Sequence, residues 1–300
     1  MMNTYETQKA VSFLALLIVG VPGNVLILVT FAQITYSDHH LLPADVILTN
    51  LAFVNLLHVL ARGMPQTLFS FGVRNMFNTL GCQLIVFIFR VSRSLSICLT
   101  FLLSAFQSVT IAPADSKLSS FKQTLAKNNL YFIIFFWLLS GTTNFAFIYS
   151  TSQTNLTVYR FTVNLDYCFV QFPGKESYES NGFMYLIRDL IIVILMALCS
   201  IYILFVLYRH SKSIKGIRSS DRTQSVSAEA RAAKTVVTLV VLYVILFGID
   251  NMIWVYTLLV PQNAVVASDM RHLISSLYAA VFPLVIIFFN KKVSSKLPCT

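Results

Sequence analysis

Seven stretches of this chain are long and apolar enough, at about 1.5 Å of rise per helical residue, to cross about 30 Å of hydrocarbon. They run approximately over residues 9–32, 44–60, 82–106, 130–148, 183–207, 235–259 and 273–289. Inside lipid every backbone N–H and C=O must be paired within the protein, which leaves only helices and closed barrels as spanning structures. These runs are too long for membrane strands and lack an alternation at every second residue. The expected fold is therefore an all-α membrane protein: a seven-transmembrane helix bundle occupying residues 1–300, with no separate soluble domain.

Charge agrees with this. Only 11% of residues are charged and 56% are hydrophobic, whereas soluble domains carry about 25% charged residues. The formal net charge of +10 would suit a nucleic-acid partner if it were clustered. Instead the basic residues sit in short segments between apolar runs, so the expected partner is the lipid bilayer and not nucleic acid. The first run has no charge over residues 10–32. It is longer than the about 7–15 apolar residues of a signal peptide and is read as an uncleaved span.

The distribution of lysine and arginine gives an orientation. Thirteen fall in the connections after spans one, three, five and seven, including Arg231 and Lys234 ahead of span six. Six are assigned to the other side: Lys9, Arg62, Arg74, Arg160, Lys175 and Arg271. Arg90, Arg93 and Arg188 lie within spans. The richer side is cytoplasmic by the positive-inside rule, placing the N-terminus outside and the C-terminus inside, with Lys9 standing against it. The Asn155-Leu156-Thr157 sequon then falls outside, where it can carry a glycan. Of the five cysteines, Cys82 at the outer end of span three and Cys168 in the loop before span five share that oxidising side. A disulfide between them would tie the loop to the third span. In a loop-closure picture it would remove about 4–5 kcal/mol of unfolded-state entropy. Two free thiols are the alternative.

Ionisable residues at membrane depth are costly and need a reason. Arg90 and Arg93, three apart, share one face of span three, and Phe87 and Ile97 continue it. Arg93 lies about 16 Å below Cys82, and Asp250 lies about 15 Å below the end of span six. The matching depths suggest an Arg93–Asp250 ion pair, either purely architectural or part of a ligand site. Arg90 is shallower and has no evident carboxylate, so it is the better candidate to meet a ligand. Arg188, beside Asp189, either joins that site or extends outward to water. Within the spans three arginines face two aspartates, which favours small anions or strong hydrogen-bond acceptors. Ser227 precedes Glu229 and reads as the N-cap of a helix that extends span six. The scattered histidines and the absence of CxxC or glycine-rich loops give no metal, cofactor or catalytic constellation.

The residues Phe89 to Pro113 carry a specific pattern: Arg90-x-x-Arg93, Ser96-Ile97-Cys98, Leu102-Leu103-Ser104, Gln107 and Pro113. Together with LLPADVILTNLAFVN at span two and EARAAKTV before span six, it resembles the vomeronasal type-1 receptors. These are the olfactory receptors class A of fishes, a group of G-protein-coupled receptors. The chain departs from commoner relatives at Asn55, at Phe106-Gln107-Ser108 and at Phe282-Pro283, and it lacks a Trp-x-Pro hinge in span six. The resemblance implies a plasma-membrane chemosensory receptor that is not an enzyme. It would bind an odorant or pheromone among spans three, five, six and seven and signal to a heterotrimeric G protein. The expected pocket comprises Phe87, Arg90, Arg93, Arg188, Asp250, Trp254 and Tyr278. The expected G-protein-facing residues are Gln107, Arg231 and Lys234. A secondary transporter or channel would also use intramembrane charges, but it favours paired repeats and broken spans, which the sequence lacks.

Overall fold

The computed structural model describes residues 4–38, 41–113, 116, 118, 120–152, 162–214, 220–259 and 264–294. Seven of its helices are long and apolar enough to cross a membrane. In chain order the elements are α1 (Thr4–Asp38), α2 (Pro43–Ser70), α3 (Thr79–Thr110), α4 (Phe121–Lys127) and α5 (Asn129–Thr143). A 3-10 turn, Phe145–Tyr149, follows, then β1 (Ser150–Ser152), β2 (Thr162–Asn164) and β3 (Cys168–Gln171). The chain continues with α6 (Lys175–Ile214), α7 (Ser220–Leu259), α8 (Ala264–Phe289) and α9 (Lys291–Ser294). Spans four to seven are thus α5 to α8.

Helix α3 is the axis of the bundle. It packs against α2, α5, α6 and α7, and 61% of its most apolar window is buried, against 28% for α5 and α6. Its sequence explains why. Ser92, Ser94, Ser96, Thr100 and Ser104 are all buried, and small residues let neighbouring backbones approach closely in lipid. Their hydroxyls are not left unpaired: Thr100 Oγ1 donates to the Ser96 carbonyl at 2.7 Å and Ser104 Oγ to the Thr100 carbonyl at 2.9 Å. Ser96 Oγ donates to Asn55 Oδ1 on α2 at 2.7 Å. Asn78 caps the helix by accepting from the Gly81 N–H at 2.7 Å.

Proline chemistry joins α1 to α8. Pro283 lies inside α8 and has no N–H to give the Ala279 carbonyl four residues back. Asn24 of α1 supplies the missing donor, its Nδ2 lying 3.0 Å from Ala279 O and 2.7 Å from Gly20 O. The helices come this close because residue 23 is glycine: a Cβ there would lie 2.6 Å from Pro283 Cγ.

Several boundaries differ from the apolar runs. Helix α2 continues to Ser70, so Arg62 is part of a helix and only 1% exposed. Lys9 lies in α1 and Arg271 in α8, and neither is a connection residue. Ser227 is not a cap, because α7 already begins at Ser220. Hydropathy ended α2 and α8 early because their missing turns carry polar side chains, Arg62, Gln66 and Asp269 among them, that are buried and do not face lipid. The connection before α6 also holds a small antiparallel sheet in the order β1-β3-β2, with Ser152 opposite Cys168 and Val163 opposite Val170. Its strands are three or four residues long, too short to show a period in sequence, yet they pair backbone groups that would otherwise lie unmet over the bundle. Cys82 and Cys168, both fully buried, form a disulfide that fixes the central strand to the first turn of α3. Asn155 lies outside the described residues.

Two outcomes follow from this packing. Asn24→Ala should lower the melting temperature of the detergent-solubilised protein, consistent with an unsatisfied buried carbonyl costing about 1–3 kcal/mol. Adding Pro283→Ala restores an N–H and should recover part of the loss; a strictly additive double mutant would argue against the staple. Cys82→Ser and Cys168→Ser should each reduce surface delivery measured by cell-surface labelling, with the double variant no worse than either.

Candidate ligand-binding site

A cavity of about 280 Å3 opens among α3, α6, α7 and α8, beneath the β2–β3 hairpin. It lies near the lower end of small-molecule pockets, which run to about 300–1,000 Å3. Its depth follows from helix rise: Arg93 reaches it from about 16 Å below Cys82.

Arg93 Nη2 donates to Asp250 Oδ2 at 2.9 Å, so the depth match read from sequence is a real contact. The same carboxylate has a second cation. Arg271 Nε of α8 lies 3.4 Å from Asp250 Oδ1, within ion-pair reach but without hydrogen-bond geometry. Asp250 is therefore shared by helices α3 and α8. Arg188 does not extend to water. It turns inward, pairs with its neighbour Asp189 at 2.8 Å and donates from Nη1 to Thr143 Oγ1 at 3.1 Å.

Arg90 differs from these. Its guanidinium sits over the Tyr185 ring at 5.4 Å, and Arg188 lies over the same ring at 5.0 Å. Its Nε is buried without a hydrogen-bond partner. Three other buried polar atoms in the cavity wall share that condition: Asn181 Nδ2, Tyr185 Oη and His272 Nε2. Most of these atoms are donors. A buried donor without an acceptor costs about 1–3 kcal/mol, so four such atoms converging on one cavity suit a guest rich in acceptors. Among the described residues, no group of three or more His, Cys, Asp or Glu converges as a metal site.

The apolar wall includes Phe89, Phe172 and Trp254. Trp254 meets Phe183 edge-on, ring centroids 5.4 Å apart. It fits against α6 because residue 182 is glycine; a Cβ there would lie 2.9 Å from the indole Cζ2. Phe87 does not face the cavity. It packs edge-to-face on Phe147 of the 3-10 turn at 4.9 Å. Phe89 takes its place because it is four residues before Arg93, on the same helical face. Tyr278 also lies elsewhere, two turns below Arg271, where its hydroxyl meets that of Thr100 at 2.8 Å and it lines a separate hollow of about 20 Å3.

The roof is ionic, which sequence reading missed. Lys9 of α1 is buried and pairs with Asp166 of the hairpin turn and with Asp269 of α8, at 2.6 Å to the latter. Tyr5 Oη donates to Asp269 at 2.8 Å, and Gln66 Nε2 of α2 donates to Asp166 at 2.5 Å. Asp166 holds its position with a positive φ of 67°. Arg62 is wedged between the rings of Phe13 and Tyr167 at 5.6 and 5.5 Å and donates to the Tyr167 hydroxyl at 3.1 Å. The available signal was the polar run Ser268-Asp269-x-Arg271-His272 at the start of the seventh span. At the other end of α3, Gln107 is buried, while Arg231 and Lys234 are exposed.

Because Asp250 serves two arginines, removing it should do more damage than removing either partner. Asp250→Ala should lower thermal stability more than Arg93→Ala, since Arg271 still neutralises Asp250 in the latter; breaking a buried pair typically costs about 3–5 kcal/mol. Equal losses in the two single variants would show that Arg271 contributes nothing to the pair.

The chain can be set beside known proteins at this point. Residues 7–298 match the family model described as the vomeronasal organ pheromone receptor family. Olfactory receptor class A-like protein 1 of Danio rerio is 40% identical over 300 residues, covering 99% of this chain and 94% of that protein. Vomeronasal type-1 receptor 4 of Homo sapiens is 29% identical over 216 residues, 72% of each chain. Squid rhodopsin superposes with a TM-score of 0.76 at 18% identity, over 97% of this chain and 83% of that one, a likeness of fold.

Proposed function

The chain belongs to the vomeronasal organ pheromone receptor family, and from that premise we propose that a small odorant or pheromone binds in the cavity among α3, α6, α7 and α8. Family and fold together make it a chemosensory receptor of the G-protein-coupled class, a multi-pass protein of the plasma membrane. In the proposed reading the N-terminus and the Cys82 end of the bundle face outward, the C-terminus faces the cytoplasm, and Asn155 carries a glycan. A ligand reaches the cavity past the hairpin, and a heterotrimeric G protein docks at the opposite end near Arg231 and Lys234. Gln107 is buried in this arrangement, so it would meet the G protein only after the helices shift. Ligand binding drives such a shift only by favouring the shifted state over the resting one.

The observation that carries this reading is the convergence of four polar atoms, buried without a hydrogen-bond partner, on one cavity. Arg90 is the centre of the proposed ligand contact. Among the described residues it has a ring beneath it but no carboxylate beside it, so an anionic group on the ligand would complete it. Arg93, by contrast, is already paired through Asp250.

In cells expressing the receptor with a promiscuous G protein, Arg90→Ala should abolish the calcium response to an anionic agonist found by screening. Surface labelling should stay within about twofold of the parent, because no ion pair is broken. An unchanged dose–response curve would remove Arg90 from the site.

A further inference from the structure

Resting on that reading of the cavity, we propose that its ligands make two separated polar contacts. An anionic group meets Arg90 and Tyr185, and a neutral hydrogen-bond acceptor such as a carbonyl meets Asn181, one helical turn nearer the start of α6. Asn181 and Tyr185 are four residues apart, about 6 Å along the helix axis, and side chains at that spacing stand one above the other. Both residues line the cavity. Each has a buried polar atom without a hydrogen-bond partner, Asn181 Nδ2 and Tyr185 Oη.

The chemistry of the two levels differs. At the Tyr185 level a cation accompanies the hydroxyl: the Arg90 guanidinium lies 5.4 Å from the ring centroid, and its Nε is buried without a hydrogen-bond partner. Arg188 shares the ring but is already paired with Asp189. A guanidinium beside a phenol suits an anion, because charge-assisted hydrogen bonds are about twice as strong as neutral ones. At the Asn181 level the donor is an uncharged carboxamide N–H. A neutral acceptor meets it at a far smaller desolvation cost than a second carboxylate. A simple anion leaves the Asn181 N–H unmet, and a simple ketone leaves Arg90 unmet. The indole of Trp254 packs on Gly182, the residue after Asn181, and with Phe89 and Phe172 it offers an apolar surface for a skeleton joining the two groups. In about 280 Å3 that skeleton is short.

The test compares ligands that share a skeleton and differ in one group. Purified receptor in lipid nanodiscs is titrated by calorimetry with benzoate, para-acetylbenzoate, phenylglyoxylate and acetophenone. The first has the anion alone, the second adds a carbonyl across the ring, the third sets the carbonyl beside the carboxylate, and the fourth has the carbonyl alone. Hexanoate, with and without a ketone at its penultimate carbon, repeats the comparison on an aliphatic skeleton. Para-acetylbenzoate should bind about five- to tenfold tighter than benzoate, the gain of one hydrogen bond, and phenylglyoxylate no tighter than benzoate. Asn181→Leu, close in volume, should bring the ratio of para-acetylbenzoate to benzoate near one and leave benzoate itself within about twofold. Arg90→Ala and Tyr185→Phe should weaken all the acids together and leave the ratio unmoved. A merely structural Asn181 would weaken every acid alike.

Asn181→Ala gives the same readout if the leucine variant fails to fold. The proposal is overturned if the distant carbonyl brings no gain on either skeleton, if phenylglyoxylate gains as much as para-acetylbenzoate, or if the Asn181 variants keep the ratio. In each of those cases the acids still bind, so the anion-binding cavity stands and only the second contact is removed. Acetophenone binding as tightly as para-acetylbenzoate, or none of the acids binding, would remove the anionic contact and this proposal with it.

Discussion

Asp250 holds arginines from two other helices, Arg93 of α3 and Arg271 of α8, and much of the bundle's middle layer depends on that sharing. A guanidinium in hydrocarbon has no water to solvate it, so it must be paired, stacked or turned toward a cavity. Each arginine here uses one of those solutions. Arg93 is paired, Arg188 is paired and stacked, and Arg62 is stacked between two rings. Arg90 is stacked and turned toward the cavity. The helices α3, α6, α7 and α8 are placed where these requirements can be met together, and the space left between them is the proposed ligand site.

The roof obeys the same physics through a different route. The Cys82–Cys168 disulfide fixes β3 to α3, and β2 pairs with β3 along its other edge. The turn between them carries Asp166 inward on a left-handed backbone, where Lys9 and Gln66 meet it. Lys9 then reaches Asp269, so one lysine links α1, the hairpin and α8. Covalent tether, strand pairing and ion pair act in series. The result is a polar cover over the cavity.

Much of this architecture was legible in the sequence. Apolar run length locates seven spans, because the bilayer sets a minimum and the helix has a fixed rise. The same rise converts residue number into depth, which is why Arg93 and Asp250 could be matched across the bundle. Rotation was harder to read. Phe87 and Phe89 lie at almost the same depth, and only the packing of α3 against the 3-10 turn sends one to the turn and the other to the cavity. Tyr278 was placed too high for a related reason: it shares the face of α8 but lies two turns too deep. The hairpin escaped notice because strands of three or four residues leave no period to detect.

By itself the sequence determined the membrane class, the number of spans, the cysteines able to meet, the depth of the central ion pair and the family resemblance. All of these depend on local composition, on axial distance along a helix or on a continuous motif. Tertiary structure alone decided that Arg62 and Arg271 are interior residues and that Asp250 has two partners. It also decided that Lys9 closes a roof with Asp166 and Asp269. Those facts join different elements of the chain, some more than a hundred positions apart, such as Lys9 and Asp269. Hydropathy assigned their polar termini to water because it counts side chains without knowing which way each helix faces. Whether a charge at the end of a span is solvated or buried is set by rotation and neighbours, which only the folded bundle supplies.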